Sequence, residues 1–175
     1  MMLRKVPPFA ELLAGCHRSA VHLETRDVYG VEEEDADFAA WRAGHRYDLD
    51  DRSSWWNGFH QSIADAVTRG VTVRRARIVS EPASDYIRYE HSYTPQNLAA
   101  GEAVRWLPRR LASDLLISGN DLWIFDDRLI RFSLFAGDGR FVADVLEDAP
   151  DVVKRHAEAF EAVWERAIPH ENYRI

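Results

Sequence analysis

Apolar residues recur at helical and at alternating spacings along the chain from residue 53 onward. Helical spacing over about 53–70 predicts a helix, and the β-branched segment 71–79 alternates like a strand. A second helix over about 85–100 and a short strand at 103–107 follow. This strand–helix–strand order is typical of parallel strands that are joined by a right-handed crossover.

The remaining part of the chain reads as three strands and a helix. The apolar run 121–125 predicts a central strand, and the acidic dipeptide 126–127 predicts a tight turn into the alternating segment 128–135, which gives a hairpin. A further strand is expected at 141–145, and an apolar stripe predicts a helix within 150–169. The order indicates an α/β (mixed α+β) fold with a mixed sheet of about five strands and helices on its faces.

The first third of the chain has a less regular pattern. We interpret residues 1–52 as a partly helical N-terminal arm that packs on a core at 53–175, the two forming effectively a single domain. Short helices are expected at 9–13 and 38–43. Residues 19–27 alternate like a half-buried strand, although a helix fits this segment too.

Composition excludes several classes of protein. The chain has 175 residues, is 46% hydrophobic and carries 29 acidic against 22 basic side chains, for a net charge of −7. This apolar content argues against intrinsic disorder, and the single cysteine argues against a disulfide scaffold and favours a reducing, cytoplasmic setting. No apolar run is long enough to span a membrane. We therefore expect no membrane as a partner, and the acidic balance predicts no direct contact with nucleic acid.

Standard cofactor and catalytic motifs are missing from the sequence. There is no phosphate-binding loop, no dinucleotide fingerprint, no HExxH and no GxSxG. The only lysines are Lys5 and Lys154, which argues against lysine-dependent chemistry. We therefore expect no cofactor and no metal. The Asp126–Asp127 pair could bind Mg²⁺, but aspartates are also common in hairpin turns for backbone reasons.

The densest group of reactive side chains lies at residues 22–27. In a strand, His22, Glu24 and Arg26 share one face, so that a base, an acid and an anion clamp stand side by side. With Asp27 they could perform acid/base chemistry on an anionic small molecule. The structural alternative is that Glu24 or Asp27 pairs with an arginine elsewhere and fixes the arm to the core.

A second group of candidates lies where ligands tend to bind in such sheets, beyond the carboxyl ends of parallel strands. We expect those ends at 78–85, 107–110 and 125–128. Aromatic and basic side chains there would suit a ligand with a ring or an anionic group, although tyrosines of an amphipathic helix and paired arginines would serve a structural role equally well. The candidate ligand contacts are Arg26, Tyr86, Arg88, Trp106, Arg109 and Asp126.

Longer motifs resemble a known family. The strings FAELLAGCHRSAVHLETRDVY, DFAAWRAG, RARIVSEPASDYIRYEH, NLAAGEAVRWLPRR, GNDLWIFDDRLIRF and FEAVWERAIPHENYR together resemble DUF6879, an actinobacterial family of unknown function, over roughly residues 9–174. The resemblance implies no activity. Because members look to be encoded near helix-turn-helix regulators, it implies a place in a regulatory module, with such a regulator or another protein as partner.

The order of elements also resembles one half of a phospholipase-D-type domain. The H-x-K catalytic motif of that family is absent here, so the resemblance implies a fold without its phosphodiester chemistry. Taken together, the sequence predicts a non-catalytic ligand-sensing or protein-interaction domain. The alternative is an enzyme that uses His22, Glu24, Arg26 and Asp27.

Overall fold

The computed structural model describes residues 5–30 and 32–175, within which the chain forms five α-helices and seven strands. The helices are α1 (Phe9–Ala14), α2 (Glu32–Arg42), α3 (Gly58–Thr68), α4 (Asp85–Ala99) and α5 (Pro150–Arg166). The strands are β1 (Ser19–Glu24), β2 (Thr72–Val79), β3 (Ala103–Pro108), β4 (Asp121–Phe125), β5 (Leu129–Phe135), β6 (Phe141–Glu147) and β7 (Ile168–Pro169).

All seven strands form one mixed sheet in the order β6-β5-β4-β1-β2-β3-β7. Strands β1, β2 and β3 are parallel, and the other neighbours pair antiparallel. The expected mixed α/β fold is confirmed, but the expected number of about five strands is wrong. The pattern at β1 fitted a helix as well as a strand, and β7 has two residues, too few to show an alternation.

Strand β1 lies in the middle of the sheet, between β2 and β4. It comes from the segment that we expected to be an arm on the core. Its residues Ala20, Val21 and Leu23 are buried, and they contribute to the apolar layers on both sides of the sheet. The segment 19–27 therefore contains a strand, as its alternation indicated, with both of its edges paired.

The predicted crossover and hairpin are both present. Strands β2 and β3 are parallel and joined through α4, whose first turn is capped by the Ser84 hydroxyl accepting from the Ile87 amide at 3.1 Å. Strands β4 and β5 are joined by Asp126 and Asp127, with φ angles of 52° and 53°. Positive φ at both positions is the geometry of a type I′ turn, in which aspartate is tolerated.

The direction of β4 corrects one sequence expectation. Because β4 runs antiparallel to β1, with Ala20 opposite Phe125, residues 125–128 lie at the amino ends of the parallel strands. We had placed them at the carboxyl ends. That edge is formed instead by the residues after β1, β2 and β3 and by the start of β4. Asp126 therefore lies at the edge opposite to the one expected.

One face of the sheet packs against α5. Side chains from β1, β2, β4 and β5 form a continuous apolar layer with those of the helix, and Phe160 of α5 is fully buried in it. Full burial of each such side chain contributes about 1.5–3 kcal/mol. The central members of the layer are Val21, Leu23, Ala76, Ile78, Ile124, Ile130, Val153 and Val163.

The opposite face has two separate apolar clusters. Helices α1 and α3 cover the amino ends of the parallel strands, where Leu13 and Ile63 pack near Val73. Helix α4 and the C-terminal segment cover β3, where Ile87 and Trp106 are buried. The rest of this sheet face, which extends across β5 and β6, carries charged and polar side chains. None of the helices in the described ranges is both long and apolar enough to cross a lipid bilayer.

Candidate functional site

A cavity of about 780 Å³ lies over this polar part of the sheet. Five strands provide its floor, and α3, α4 and the segment before α3 contribute to its walls. Alternation along each strand explains the floor, because every second side chain points to the same face. The floor residues are His22 and Glu24 of β1, Arg75 and Arg77 of β2, Asp121 and Trp123 of β4, Arg131 and Ser133 of β5, and Asp144 of β6.

Glu24 joins the two buried arginines of β2. Its Oε1 lies 3.0 Å from Nη1 of Arg75, and its Oε2 lies 2.9 Å from Nε of Arg77. The side chains of both arginines are less than a tenth exposed. A guanidinium so buried is costly unless it is paired, and here one carboxylate serves two of them.

Each arginine has a second carboxylate partner. Nε of Arg75 lies 2.7 Å from Oε1 of Glu102, whose Oε2 accepts from Asn97 at 2.9 Å, and Arg77 pairs with Glu90. Burial lowers the pKa of Arg75 and Arg77, but the neighbouring carboxylates outweigh it and raise both pKa values. Both guanidinium groups are therefore charged and neutralised inside the protein.

Two further sets of hydrogen-bonded side chains, around Asp144 and around Asp121, complete the floor. Arg131 pairs with Asp144, which also accepts from the Ser133 hydroxyl at 2.9 Å. Asp121 accepts from the Tyr29 hydroxyl and, at 2.8 Å, from the amide of Thr25. Burial raises the pKa of Asp121, although these hydrogen bonds oppose the rise. No arginine or lysine of the described ranges forms an ion pair with Asp121.

His22 is the histidine of the floor, and it is uncharged. Its ring stacks on Trp123 with centroids 4.3 Å apart and planes 17° apart. Burial, and then the positive charges of Arg75, Arg77 and Arg131, hold the pKa of His22 well below its usual value. Its Nδ1 lies 3.8 Å from Glu24 Oε1, which is too long for a hydrogen bond. The imidazole is therefore uncharged at neutral pH.

Several buried polar atoms of the cavity lining have no hydrogen-bond partner among the described residues. They come from three different parts of the fold: the floor, α4 and the segment before α3. Gln96 and Trp55 are each only 7% exposed. Buried polar groups are nearly always hydrogen-bonded, so such a set calls for an explanation. The atoms are His22 Nδ1, Trp55 Nε1, Tyr93 Oη, Gln96 Nε2 and Arg131 Nε.

Aromatic rings form much of the wall. Tyr86, Tyr89 and Tyr93 follow one another on one side of α4, and the rings of Tyr89 and Tyr93 lie 4.5 Å apart in an edge-to-face arrangement. Burial raises the pKa of Tyr93 to about 12, so its hydroxyl keeps its proton. Trp55 and Phe135 contribute rings from other segments. The cavity thus combines a polar floor with aromatic walls.

The residues of the cluster at 22–27 do not stay together. His22 and Glu24 line the cavity, whereas Asp27 lies outside its lining and accepts from the amide and hydroxyl of Ser80 at 2.7 and 2.6 Å. Arg109 donates to the Thr25 carbonyl at 2.6 Å and lies 3.4 Å from Asp27. Strand β1 ends at Glu24, so the alternation that would align these side chains stops there.

The other candidate ligand contacts are spread over the fold. Tyr86 lines the cavity, Arg26 lies over the ring of Phe135 at 5.0 Å, and Arg88 is exposed on α4. Trp106 is fully buried, and its Nε1 donates to His170 Nδ1 at 3.1 Å.

Asp126 holds the N-terminal segment in place. Its carboxylate accepts from the backbone amides of His17, Arg18 and Ser19 at 2.7–3.0 Å. Burial would raise the pKa of Asp126, but the hydrogen bonds from the Cys16 thiol and these amides outweigh it and hold the pKa below its usual value. In the described part of the chain, no three His, Cys, Asp or Glu side chains are arranged to hold a metal ion.

Sequence reasoning missed most of the cavity lining. The candidate residues did not include six side chains of the lining: Trp55, Arg75, Arg77, Gln96, Arg131 and Asp144. A usable signal was present, because arginines on the otherwise apolar face of Val73 and Val79 indicate a buried charge that needs partners. The partners come from distant strands and helices, which a sequence pattern does not reveal.

A sequence profile described as "Domain of unknown function (DUF6879)" matches residues 7–175. The chain belongs to the DUF6879 family. The resemblance seen in the shorter motifs is thereby confirmed over nearly the whole chain. None of the curated proteins compared with this DUF6879 chain is similar enough to count as a relative.

One solved structure with a similar fold is TrmBL2, an archaeal chromatin protein whose report describes a novel mode of DNA binding. The two share 16% sequence identity with a TM-score of 0.49, over 90% of this chain and 47% of TrmBL2. The chain thus spans about half the length of that protein. At this similarity, TrmBL2 shows nothing about what the present chain binds.

One expectation from the composition does not stand. From the acidic composition we had expected no direct contact with nucleic acid, and the matching protein is a DNA-binding one. Net charge describes the whole surface and does not exclude a local binding patch, so the exclusion does not stand. The likeness to half of a phospholipase-D-type domain stays a prediction.

Proposed function

We propose that this domain is a non-catalytic sensor that binds a small organic molecule in the cavity over the sheet. The observation that carries the proposal is the set of buried, unpartnered polar atoms around a space of about 780 Å³. That volume lies in the range of ligand pockets, about 300–1,000 Å³, which combine aromatic walls with a few polar groups. A bound molecule would supply the missing hydrogen-bond partners.

The state of the charged groups favours binding over catalysis. Arg75 and Arg77 are each held by two carboxylates, and Arg131 is held by Asp144, so these groups form a rigid floor. Cys16 lies outside the cavity lining, and burial raises the pKa of its thiol to about 11. The thiol, the strongest nucleophile among the side chains considered, is therefore not available in the described lining. Ligand sensing also suits the regulatory setting that the family resemblance implies.

A thermal-shift screen of neutral, cationic and anionic metabolites tests the proposal. At least one compound should raise the unfolding temperature of the wild-type protein, because a ligand that binds only the native state stabilises it. The variant Ser54→Trp places a large ring at the exposed mouth of the cavity and should abolish the shift. Ser53→Trp is the matched control, since Ser53 is exposed on the same turn but does not line the cavity.

Either of two results would contradict the proposal. If no compound stabilises the wild type, or if Ser54→Trp and Ser53→Trp respond to every hit as the wild type does, the cavity is not a ligand site. The solved structure of a complex with one hit would show which polar atoms it satisfies.

One observation favours a second candidate function, an enzyme. His22 is neutral, stacked on Trp123, and has an Nδ1 without a hydrogen-bond partner at the cavity floor. Such an imidazole can accept a proton from a bound molecule, as a general base does. In that case a screening hit would be converted by the wild type, and His22→Gln would bind it without converting it. Binding with no turnover by either protein supports the sensor.

A further inference from the structure

From the chemistry of its lining, we infer that the cavity takes a planar heteroaromatic molecule that carries hydrogen-bond acceptors and no negative charge. The inference rests on the proposed function, because it names the class of ligand for the same site. Three properties of the lining lead to it: its charge, its rings and its unpartnered donors.

The excess of acidic side chains in the lining excludes an anionic ligand. Among the described residues that line the cavity, the carboxylates outnumber the guanidinium groups by five to three. Burial raises the pKa of Asp121, and with this carboxyl protonated the acids are still in excess by one. Every guanidinium of the floor already faces a carboxylate, so an incoming anion would find no free positive charge. The acids are Glu24, Asp37, Glu90, Asp121 and Asp144, and the bases are Arg75, Arg77 and Arg131.

Ring geometry favours a flat molecule. The stacked pair of His22 and Trp123 lies at the floor, and Tyr89 and Tyr93 contribute rings from α4. Aromatic walls of this kind bind flat rings by offset stacking and edge contacts, each worth about 0.5–1.5 kcal/mol in proteins beyond the area they bury. A bulky aliphatic ligand would make fewer such contacts.

The unpartnered hydrogen-bond donors of the lining require acceptor atoms on the ligand. The Nε1–H of Trp55 and the Nε2–H groups of Gln96 can only donate, and both side chains are 7% exposed. Nε of Arg131 is a third donor without a partner among the described residues. A ligand without acceptor atoms would leave these donors buried and unsatisfied. Ring nitrogens or carbonyl oxygens at the edge of a flat molecule would satisfy them.

A series of probes that share one planar ring system tests two of these properties, the charge of the ligand and its need for an acceptor. Quinoline is planar and neutral with one acceptor, N-methylquinolinium is a planar cation without an acceptor, and quinoline-4-carboxylate is an anion. Affinities are measured by NMR titration of the full chain at pH 8, where quinoline is uncharged. We expect quinoline and N-methylquinolinium to bind at least about tenfold more tightly than the carboxylate, because the latter faces the acidic excess.

Two variants link the result to particular residues. Asp37→Lys places a positive charge at the mouth of the cavity and should weaken the binding of N-methylquinolinium by about threefold or more. Asp50→Lys makes the same charge change outside the lining and should leave this binding unchanged. Gln96→Met removes a donor at nearly constant volume. This variant should weaken the binding of quinoline, which has an acceptor, but not the binding of N-methylquinolinium, which has none. Thermal melts show whether each variant is folded.

The outcomes separate this inference from the proposed function. Equal or tighter binding of the carboxylate overturns the inference while the proposed function stands. If no probe of the series binds but the metabolite screen yields a ligand that Ser54→Trp blocks, the inference is again wrong and the proposed function stands. If neither gives a ligand that Ser54→Trp blocks, the proposed function fails and the inference fails with it.

Discussion

Glu24 is the side chain whose loss should most disturb the floor of the cavity. Its side chain is 13% exposed, and its carboxylate lies 3.0 Å from Arg75 and 2.9 Å from Arg77. The substitution Glu24→Gln keeps the shape but removes the charge that both buried guanidinium groups share. Each arginine retains one other carboxylate, on Glu102 or Glu90.

The expected cost follows from this partial compensation. Breaking a buried ion pair by removing one partner costs about 3–5 kcal/mol when the remaining charge is left alone. Here two pairs are lost, but neither arginine is left without a carboxylate, so we expect about 3 kcal/mol. That is a large share of the roughly 5–15 kcal/mol by which a domain is stable.

Urea unfolding, followed by tryptophan fluorescence, measures the loss. Glu161→Gln is the matched control, because Glu161 also pairs with an arginine of β2, at 2.6 Å, but its side chain is 50% exposed. An exposed pair contributes about 0–1 kcal/mol. If Glu24→Gln lowered the free energy of unfolding no more than Glu161→Gln does, the interpretation of the buried network as two ion pairs that share Glu24 would be refuted.

Three further predictions concern the core, the hairpin and pH. Phe160→Ala should cost about 3–5 kcal/mol in urea unfolding, because it leaves a void beneath the sheet where Phe160 is fully buried. Asp126→Asn should cost about 1–3 kcal/mol, since one carboxylate oxygen that accepts from a backbone amide becomes an amide nitrogen. Burial lowers the pKa of His22 and lowers that of His170 to about 4. A histidine with a lowered pKa in the folded state takes up protons on unfolding, so its contribution to stability is complete above about pH 6.5 and is lost as pH falls towards 4.

Matched variants provide the controls. Phe141→Ala removes the same ring from a side chain that is 46% exposed, and Asp127→Asn changes the neighbouring turn residue, whose side chain is 58% exposed. Each should cost less than its buried counterpart, and an equal loss would count against the packing or hydrogen-bond argument. His170→Asn should flatten the pH dependence between 6.5 and 4. A variant curve parallel to that of the wild type would show that His170 is not one of the groups responsible.

The local elements were largely predictable because each depends on nearby residues. The period of apolar residues identified β2, α4 and α5, and the two aspartates after β4 identified the hairpin. The same reasoning did not find β7, whose two residues become a strand only because β3 offers them an edge. It also did not decide whether β1 is a strand or a helix, since both the alternating and the helical spacing fit a segment that is buried on two sides.

The candidate site was predictable only in part. The alternation at β1 correctly put His22 and Glu24 on one face, and both line the cavity. It did not indicate that Asp27 would lie outside the lining with Ser80 and Arg109, because the strand ends before that residue. Nor did it reveal which carboxylates pair with Arg75, since these lie 51 and 27 residues away along the chain.

The sequence by itself therefore determined the class of fold, the crossover, the hairpin and the absence of familiar cofactor motifs. These follow from interactions between residues close together in the chain. Only the tertiary structure decided the central place of β1, the direction of β4 and the pairing of the buried arginines. Those depend on which segments meet across the sheet, and a buried charge is acceptable only where such a meeting brings it a partner. The cavity exists because the two apolar clusters on that sheet face cover the amino ends of the parallel strands and β3, and leave the charged part of the face uncovered.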